Sequence, residues 1–248
     1  MNRVAGFLPA DWPAPPGVHA GTTLRDGPGV SLPPFERFNL GAHCGDDPAA
    51  VAANRQRLEP MLDLPAAPCW LRQVHGIEVH RFEQPSDEPP QADASVTDRR
   101  GLPLAILSAD CLPALFCNRR GDEIGAAHAG WRGLVAGVLE ATVRAMRSAP
   151  EDLLVWLGPA AGAQRYEIGE EVRTACLDAD PQATGCFLPT RPGHWRMDLY
   201  ALAHRRLAAA GVTAVYGGGL CTLSDPLHFF SYRRDGRGGR MASLIWLR

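Results

Sequence analysis

Three short segments each place one potential metal ligand where an apolar run gives way to turn residues. They are Gln73-Val74-His75-Gly76, Ala109-Asp110-Cys111 and the segment 127–133, which contains His128. A thiolate with two imidazoles is an accepted ligand set for zinc, and three protein ligands leave the fourth position to water or substrate. These ligand types therefore favour a catalytic metal centre over a structural one.

Each of these residues also has an ordinary alternative. None lies in a CxxC or HExxH pattern, which would be specific by itself. A histidine near a strand end is usually a satisfied polar residue, and a free cysteine is commonly a small buried apolar residue. Cys111 with His75 or His128 also fits the nucleophile and base of a metal-free cysteine hydrolase. Spacing alone leaves these alternatives open.

Further short motifs follow one another along nearly the whole chain. They are Asn39-Leu40-Gly41, Gly45-Asp46-Asp47-Pro48, Asn54-Arg55, Gly158-Pro159, Tyr166-Glu167-Ile168-Gly169, Cys221-Thr222 and the segment 229–236 followed by Gly239-Arg240. With the three ligand segments, they resemble the YfiH-like family, also called laccase-domain or polyphenol oxidase-like proteins. One loop departs from the family pattern Arg-x-Gly-Gly-x-Ser, because this chain reads Arg25-Asp26-Gly27-Pro28-Gly29-Val30-Ser31.

The resemblance implies that His75, Cys111 and His128 are catalytic residues that bind one zinc ion, with copper as the alternative metal. It implies phosphorolysis of adenosine, inosine, guanosine and methylthioadenosine, and adenosine deamination as a second reaction. Arginine forks bind phosphate and carboxylate groups, and the helix start after His128 is a second candidate for holding an anion. The candidate substrate-binding residues are Arg55, Arg132, Arg233, Arg234 and Arg240.

Other functions stay open at this point. One is an editing hydrolase that cleaves an amide joining a misincorporated serine to a muramyl nucleotide of the cell wall. Another is copper-dependent phenol oxidation, but a multicopper oxidase needs roughly ten histidines. The chain has eight histidines and no HxH pair. A non-enzymatic alternative is a metal-stabilised scaffold that presents Trp131 and Phe229-Phe230 to a partner.

The composition is that of an ordinary globular protein. Of 248 residues, 46% are hydrophobic and 21% charged, and no linker or charge block divides the chain. We therefore expect one catalytic domain over residues 1–248. The net charge of -2 and the lack of a basic stripe argue against nucleic acid. All 25 basic residues are arginine, which excludes Schiff-base lysine catalysis and a Walker A loop.

The sequence also indicates a cellular location. Its apolar runs are too short for a membrane span, and the first of them is too short for a signal peptide. Seven unpatterned cysteines fit reduced thiols better than a disulfide framework. We expect a cytoplasmic monomer without membrane partners, acting on the small molecules purine nucleoside and phosphate.

The expected fold class is α/β, a layered αββα-type sandwich with mixed β-sheets that presents the ligands at strand ends. Short apolar runs bounded by turn residues predict strands, and apolar residues at helical spacing predict helices. The predicted strands are 69–74, 104–107, 123–127 and 153–157, with a hairpin or longer loop between two strands in 226–248. The predicted helices cover 48–62, 131–146, 166–176 and 198–210.

Overall fold

A computed structural model describes residues 4–248. Its β-strands are β1 (Phe7–Pro9), β2 (Val18–Thr23), β3 (Val79–Arg81), β4 (Ala94–Thr97), β5 (Leu104–Ser108), β6 (Leu112–Asn118), β7 (Ile124–Ala129), β8 (Leu153–Leu157), β9 (Glu167–Gly169), β10 (Phe187–Arg191), β11 (His194–Met197), β12 (Ala214–Gly217) and β13 (Met241–Leu247). Its α-helices are α1 (Pro48–Gln56), α2 (Leu58–Leu62), α3 (Trp131–Ala136), α4 (Val138–Ala145), α5 (Glu170–Ala179), α6 (Leu199–Ala209) and α7 (Tyr232–Asp235).

Two sheets form the centre of the molecule. The first has the strand order β1-β2-β13-β5 and is antiparallel throughout. The second has the order β12-β8-β6-β7-β4-β3, with a parallel pair at each edge and antiparallel pairs between them. The chain passes from the first sheet to the second between β5 and β6. The connecting turn therefore carries Cys111 at the boundary of the two sheets.

Apolar side chains of both sheets pack against each other in the interior, among them Ile106 of β5 and Leu115 of β6. Helices α3, α4 and α6 cover the outer face of the six-stranded sheet. Residues of α2, with Phe38 and Leu40, cover the outer face of the four-stranded sheet. This order of layers confirms the predicted αββα sandwich with mixed sheets. A small third sheet has the order β10-β11-β9.

The first predicted helix begins where its capping residues indicate. The Asp47 side chain accepts a hydrogen bond from the Ala49 backbone N–H, and Pro48 occupies the first turn. An acidic cap followed by proline is favoured there because the first N–H groups of a helix lack internal partners. The predicted segment is interrupted at Arg57, where α1 ends and α2 begins.

Two other helix predictions need correction. The segment 131–146 forms two helices, because Gly137 adopts φ +97° and ends α3. A left-handed residue stops the regular hydrogen-bond pattern even where the apolar spacing continues. The segment 166–176 begins as strand β9, and only its second part belongs to α5.

The predicted strand 69–74 is also wrong, since only isolated bridges from Cys69 and Arg72 occur there. The Gln73 side chain follows these bridges and bonds to strand β5. Its Nε2 donates to the Leu107 carbonyl and its Oε1 accepts from the Leu107 N–H, both at 2.8 Å. A side-chain amide thus takes the place of a backbone partner beside β5.

The predicted pair of strands in 226–248 is half correct. Strand β13 exists, but both its edges are paired, with β2 and β5. No edge is left for a hairpin partner from the preceding residues. The arginine-rich stretch instead contains α7, which begins with the Ser231 hydroxyl accepting from the Arg234 N–H and ends at left-handed Gly236.

Within residues 4–248, no helix is long and apolar enough to cross a membrane.

The junction between α3 and α4 gives a stability prediction. An alanine at Gly137 would meet only ordinary contacts but would have to keep φ +97°. We expect Gly137→Ala to lower the free energy of unfolding by about 1–2 kcal/mol in urea titrations. Gly185→Ala is the control, since an added Cβ there lies in open space without a positive φ. Equal unfolding free energies for both variants would contradict the prediction.

Candidate metal centre

The structure brings His75, Cys111 and His128 together. Their potential ligand atoms all lie within 4.8 Å of one another, and Cys111 Sγ is 3.8 Å from His75 Nε2. A zinc ion bound at ordinary bond lengths would place such atoms roughly 3.3–3.6 Å apart. A small closure of the cluster is therefore enough, and the donor set fits a borderline-soft divalent metal.

Strand pairing explains why two of these residues meet. Strands β6 and β7 are antiparallel neighbours, with Leu112 opposite Ala129 and Pro113 opposite His128. Cys111 directly precedes β6, so its side chain lies at the same end of the sheet as His128. The third residue, His75, lies in a turn with φ +62°, a conformation that non-glycine residues rarely adopt.

A buried carboxylate joins the turn to the strand. Asp93 Oδ1 lies 2.9 Å from His128 Nδ1, and the Asp93 carboxylate accepts the N–H groups of Val74, His75 and Gly76 at 2.7–3.0 Å. With Nδ1 engaged, Nε2 of His128 is left for a metal, the arrangement that orients histidine ligands in many metal sites. Burial raises the pKa of Asp93, but these hydrogen bonds outweigh it and lower the pKa.

Sequence reasoning missed Asp93. A signal was present, because this acid directly precedes β4, whose four residues are all buried. A carboxylate at the start of a fully buried strand needs a hydrogen-bonding or charged partner. The identity of that partner depends on tertiary structure.

The surroundings of Cys111 favour the thiolate. Burial raises the pKa of this thiol, but the charge and hydrogen bonding of His128 and His75 outweigh it and lower the pKa to about 6. A cysteine ligand must be deprotonated, so the lowered pKa favours the form of Cys111 that binds a metal. Burial lowers the pKa of His128, but the charge of Cys111 and the hydrogen bond to Asp93 outweigh it and raise the pKa to about 9, so a metal ion would displace the His128 proton. Gly130 supplies space, because a Cβ there would lie 2.8 Å from Cys111 Sγ and 3.3 Å from the His75 ring.

A cavity of about 580 Å³ opens beside the cluster. Arg132, Arg233 and Arg240 line it. Within the described part of the chain, no carboxylate forms a salt bridge with any of the three. Arginine is always charged at neutral pH, so this wall is electropositive.

Each of these arginines lies over an aromatic ring that lines the same cavity. The distances from guanidinium carbon to ring centroid are 4.4 Å for Arg132 over Trp131, 4.9 Å for Arg233 over Tyr166 and 5.8 Å for Arg240 over Tyr232. A cation over a ring face is attracted by the ring quadrupole. The rings therefore hold the guanidinium groups while leaving N–H edges available.

Two of the predicted substrate-binding arginines lie elsewhere. Arg55 stacks 4.0 Å over Trp70 and donates to a backbone carbonyl, and it does not line the cavity. Arg234 forms a two-pronged pair with Asp235 at 2.7 Å and donates to two further carbonyls. These guanidinium groups are engaged within the fold, and a role of Arg55 or Arg234 in substrate binding stays a prediction.

Of the described residues that line the cavity, Asp110 alone carries a carboxylate. Its Oδ1 accepts the Thr222 hydroxyl at 2.6 Å, and its Oδ2 accepts the Arg233 backbone N–H at 2.7 Å. These bonds anchor α7 to the turn that carries Cys111. Each oxygen of Asp110 thus accepts a hydrogen bond from within the fold.

Comparison with known proteins places the chain in a family. The family model described as multi-copper polyphenol oxidoreductase laccase matches residues 19–248. A Xylella fastidiosa (strain Temecula1) protein named purine nucleoside phosphorylase is 56% identical, covering 97% of this chain and 96% of its own. The Escherichia coli protein named purine nucleoside phosphorylase YfiH is 50% identical, covering 95% and 96%.

Solved structures agree with this relationship. A Neisseria meningitidis protein of the DUF152 family has TM-score 0.94 and 46% identity, covering 98% of this chain and 99% of its own. YlmD from Geobacillus stearothermophilus has TM-score 0.93 and 33% identity, covering 100% and 98%. The chain therefore belongs to the YfiH-like, laccase-domain family.

The cluster predicts a loss of metal binding on removal of its thiolate. We expect Cys111→Ala to lower Zn²⁺ affinity by more than about 100-fold, since a direct ligand matters more than its supporting residues. The measurement is competition with a chromophoric chelator. Cys44→Ala is the matched control, because Cys44 lines the same cavity but is not in the cluster. Wild-type affinity in Cys111→Ala would show that the cluster is not the metal site.

Asp93→Asn tests the supporting carboxylate. In the variant, the NH2 group of the new asparagine faces backbone N–H donors in either orientation, because both oxygens of Asp93 accept such donors in the wild type. We expect Zn²⁺ affinity to fall by about 10–100-fold and the melting temperature of the metal-free protein to drop. Asp178→Asn, an exposed position on α5, should leave both unchanged. If Asp93→Asn also left both unchanged, Asp93 would not organise the site.

Proposed function

We propose that the chain is a zinc-dependent purine nucleoside phosphorylase. One observation carries the proposal: three arginines without carboxylate partners line the same cavity as the His/Cys/His cluster. Guanidinium groups bind phosphate oxygens through two parallel hydrogen bonds, so this wall suits inorganic phosphate. The relatives named purine nucleoside phosphorylase support the choice of nucleoside as second substrate.

Arg132 is the main candidate for holding phosphate. It is exposed, and its side chain makes no hydrogen bond to another described residue, whereas Arg240 donates to two backbone carbonyls and Arg233 to one. The neighbouring Trp131 ring limits the directions that its guanidinium can take. Zinc bound at the cluster would supply Lewis acidity toward negatively charged oxygen.

The rest of the cavity suits a purine nucleoside. Its volume of about 580 Å³ lies within the range of small-ligand pockets, about 300–1,000 Å³. Leu71 and Leu107 provide apolar surface for a flat base. The proposed substrates are adenosine, inosine, guanosine and methylthioadenosine, whose methylthio group adds only apolar bulk. Adenosine deamination is proposed as a second reaction, in which water attacks C6 of the base and ammonia leaves.

The number of metal clusters favours zinc chemistry over phenol oxidation. Within residues 4–248, the metal-binding side chains form a single cluster of three or more, His75 with Cys111 and His128. An enzyme that holds several copper ions needs more ligands than this one cluster of three provides. Three protein ligands with one open position are instead typical of catalytic zinc.

The direct test is incubation of zinc-loaded protein with inosine in the presence and absence of phosphate. We expect hypoxanthine and ribose 1-phosphate in equal amounts, formed only with phosphate, and inosine from adenosine in a parallel assay. The absence of both reactions would contradict the proposal. Phosphate-independent hydrolysis of a seryl–muramyl amide would favour the editing hydrolase instead.

Arg132→Ala should separate phosphate binding from metal binding. Loss of charge-assisted hydrogen bonds to phosphate is expected to raise the KM for phosphate by about 10–100-fold, with zinc content unchanged. Arg144→Ala, an exposed arginine on α4 outside this cavity, should leave the KM as in the wild type. An unchanged phosphate KM in Arg132→Ala would remove Arg132 from the phosphate site.

A further inference from the structure

The proposed reaction needs a proton donor, and neither the metal ligands nor the cavity arginines supply one. Phosphorolysis breaks the bond between C1′ and N9, and the electron pair of that bond stays with the purine. A purine leaves far more readily when its N7 receives a proton as the bond breaks. The cavity arginines cannot give up a proton near neutral pH.

Most titratable side chains that line the cavity are poor candidates for this proton donor. His75, Cys111 and His128 form the metal cluster. Both oxygens of Asp110 accept hydrogen bonds within the fold. Burial, with the nearby Cys111 charge, raises the pKa of Tyr166 to about 12, too high for an efficient proton donor at neutral pH.

The remaining polar groups of the lining do not fill the role. The Cys44 thiol donates to the Gly41 carbonyl at 3.1 Å. The Gln73 amide is engaged with the Leu107 backbone and does not ionise. Hydroxyl side chains do not titrate between pH 5 and 8, whereas imidazole does.

His43 is the histidine of the lining that lies outside the metal cluster. It is exposed, and its side chain has no hydrogen bond or ion pair with another described residue. Both ring nitrogens are therefore free to bond to a substrate in the cavity.

The loop that carries His43 is fixed beside the cavity by a buried amide. Asn39 Oδ1 accepts the N–H groups of Gly41 and Arg240 at 2.9 and 2.8 Å. Its Nδ2 donates to Asp46 Oδ2 at 2.9 Å. The fully buried Asn39 side chain thus connects both ends of the loop 40–46 to the segment that carries Arg240. These hydrogen bonds fix the loop, and with it the position of His43 beside the cavity.

We propose that His43 is the general acid that protonates the purine at N7; this role rests on the proposed function. An oxygen of phosphate forms the bond to C1′ as the C1′–N9 bond breaks. The proton of the His43 imidazolium moves to N7, so the purine leaves neutral and the imidazole becomes neutral. The P–OH proton of the new sugar phosphate is released to solvent, from which His43 is protonated again.

The test uses a nucleoside that needs no proton donor. 7-Methylinosine carries a fixed positive charge on its five-membered ring, so its base leaves without protonation at N7. For His43→Gln we expect kcat on inosine to fall by about 100-fold or more, while kcat on 7-methylinosine changes by less than about threefold. Zinc content and melting temperature are measured on the same samples.

The control is His204→Gln, an exposed histidine on α6 outside the cavity, which should keep both rates. Equal losses on the two nucleosides would overturn the acid role and make His43 a binding residue. An unchanged kcat on inosine would overturn it as well. Wild-type protein that cleaves neither nucleoside would refute the proposed function, and this role with it, which separates that failure from the other two.

Discussion

The buried carboxylate of Asp93 is the interaction on which the rest of the site depends. It bonds to three consecutive backbone N–H groups of the turn that carries His75 and to the ring of His128 on β7. A buried charge must be satisfied by such donors or it destabilises the fold. The hydrogen bonds that satisfy the charge therefore also set the positions of two potential metal ligands. The fold therefore contributes to the ligand geometry through hydrogen bonds that do not involve the metal-binding atoms.

Different side chains of the cavity are suited to binding a metal ion and to binding an anion. The ligand cluster lies at the ends of paired strands, and three guanidinium groups are held over aromatic rings around it. Asp110, the carboxylate of the lining, is occupied by Thr222 and the backbone of α7. An anionic substrate would therefore meet positive charge without a competing free carboxylate. This arrangement supports the proposed use of phosphate more strongly than the ligand cluster does by itself.

Local sequence patterns predict some features of the fold and the site. Other features depend on contacts between residues that are far apart in the sequence. Asp47-Pro48 predicts the start of α1 because a helix cap acts within a few residues. The motifs around His75, Cys111 and His128 indicated the cluster through family resemblance. The bonds of Asp93 reach His75 18 residues away and His128 35 residues away, a distance at which periodicity carries no information. The sequence alone could not show that Arg132 lines the cavity while Arg55 packs on Trp70, because the position of each arginine depends on which residues fold against it.

X-ray absorption at the zinc edge, measured on purified zinc-loaded protein, tests most directly whether His75, Cys111 and His128 bind the metal. We expect one sulfur neighbour at about 2.3 Å and two imidazole nitrogens at about 2.0–2.1 Å, with one further light atom completing the shell. The sulfur neighbour should disappear in Cys111→Ala. A shell without sulfur in the wild-type protein, or one with several sulfur neighbours, would contradict the assignment of His75, Cys111 and His128 as the metal ligands.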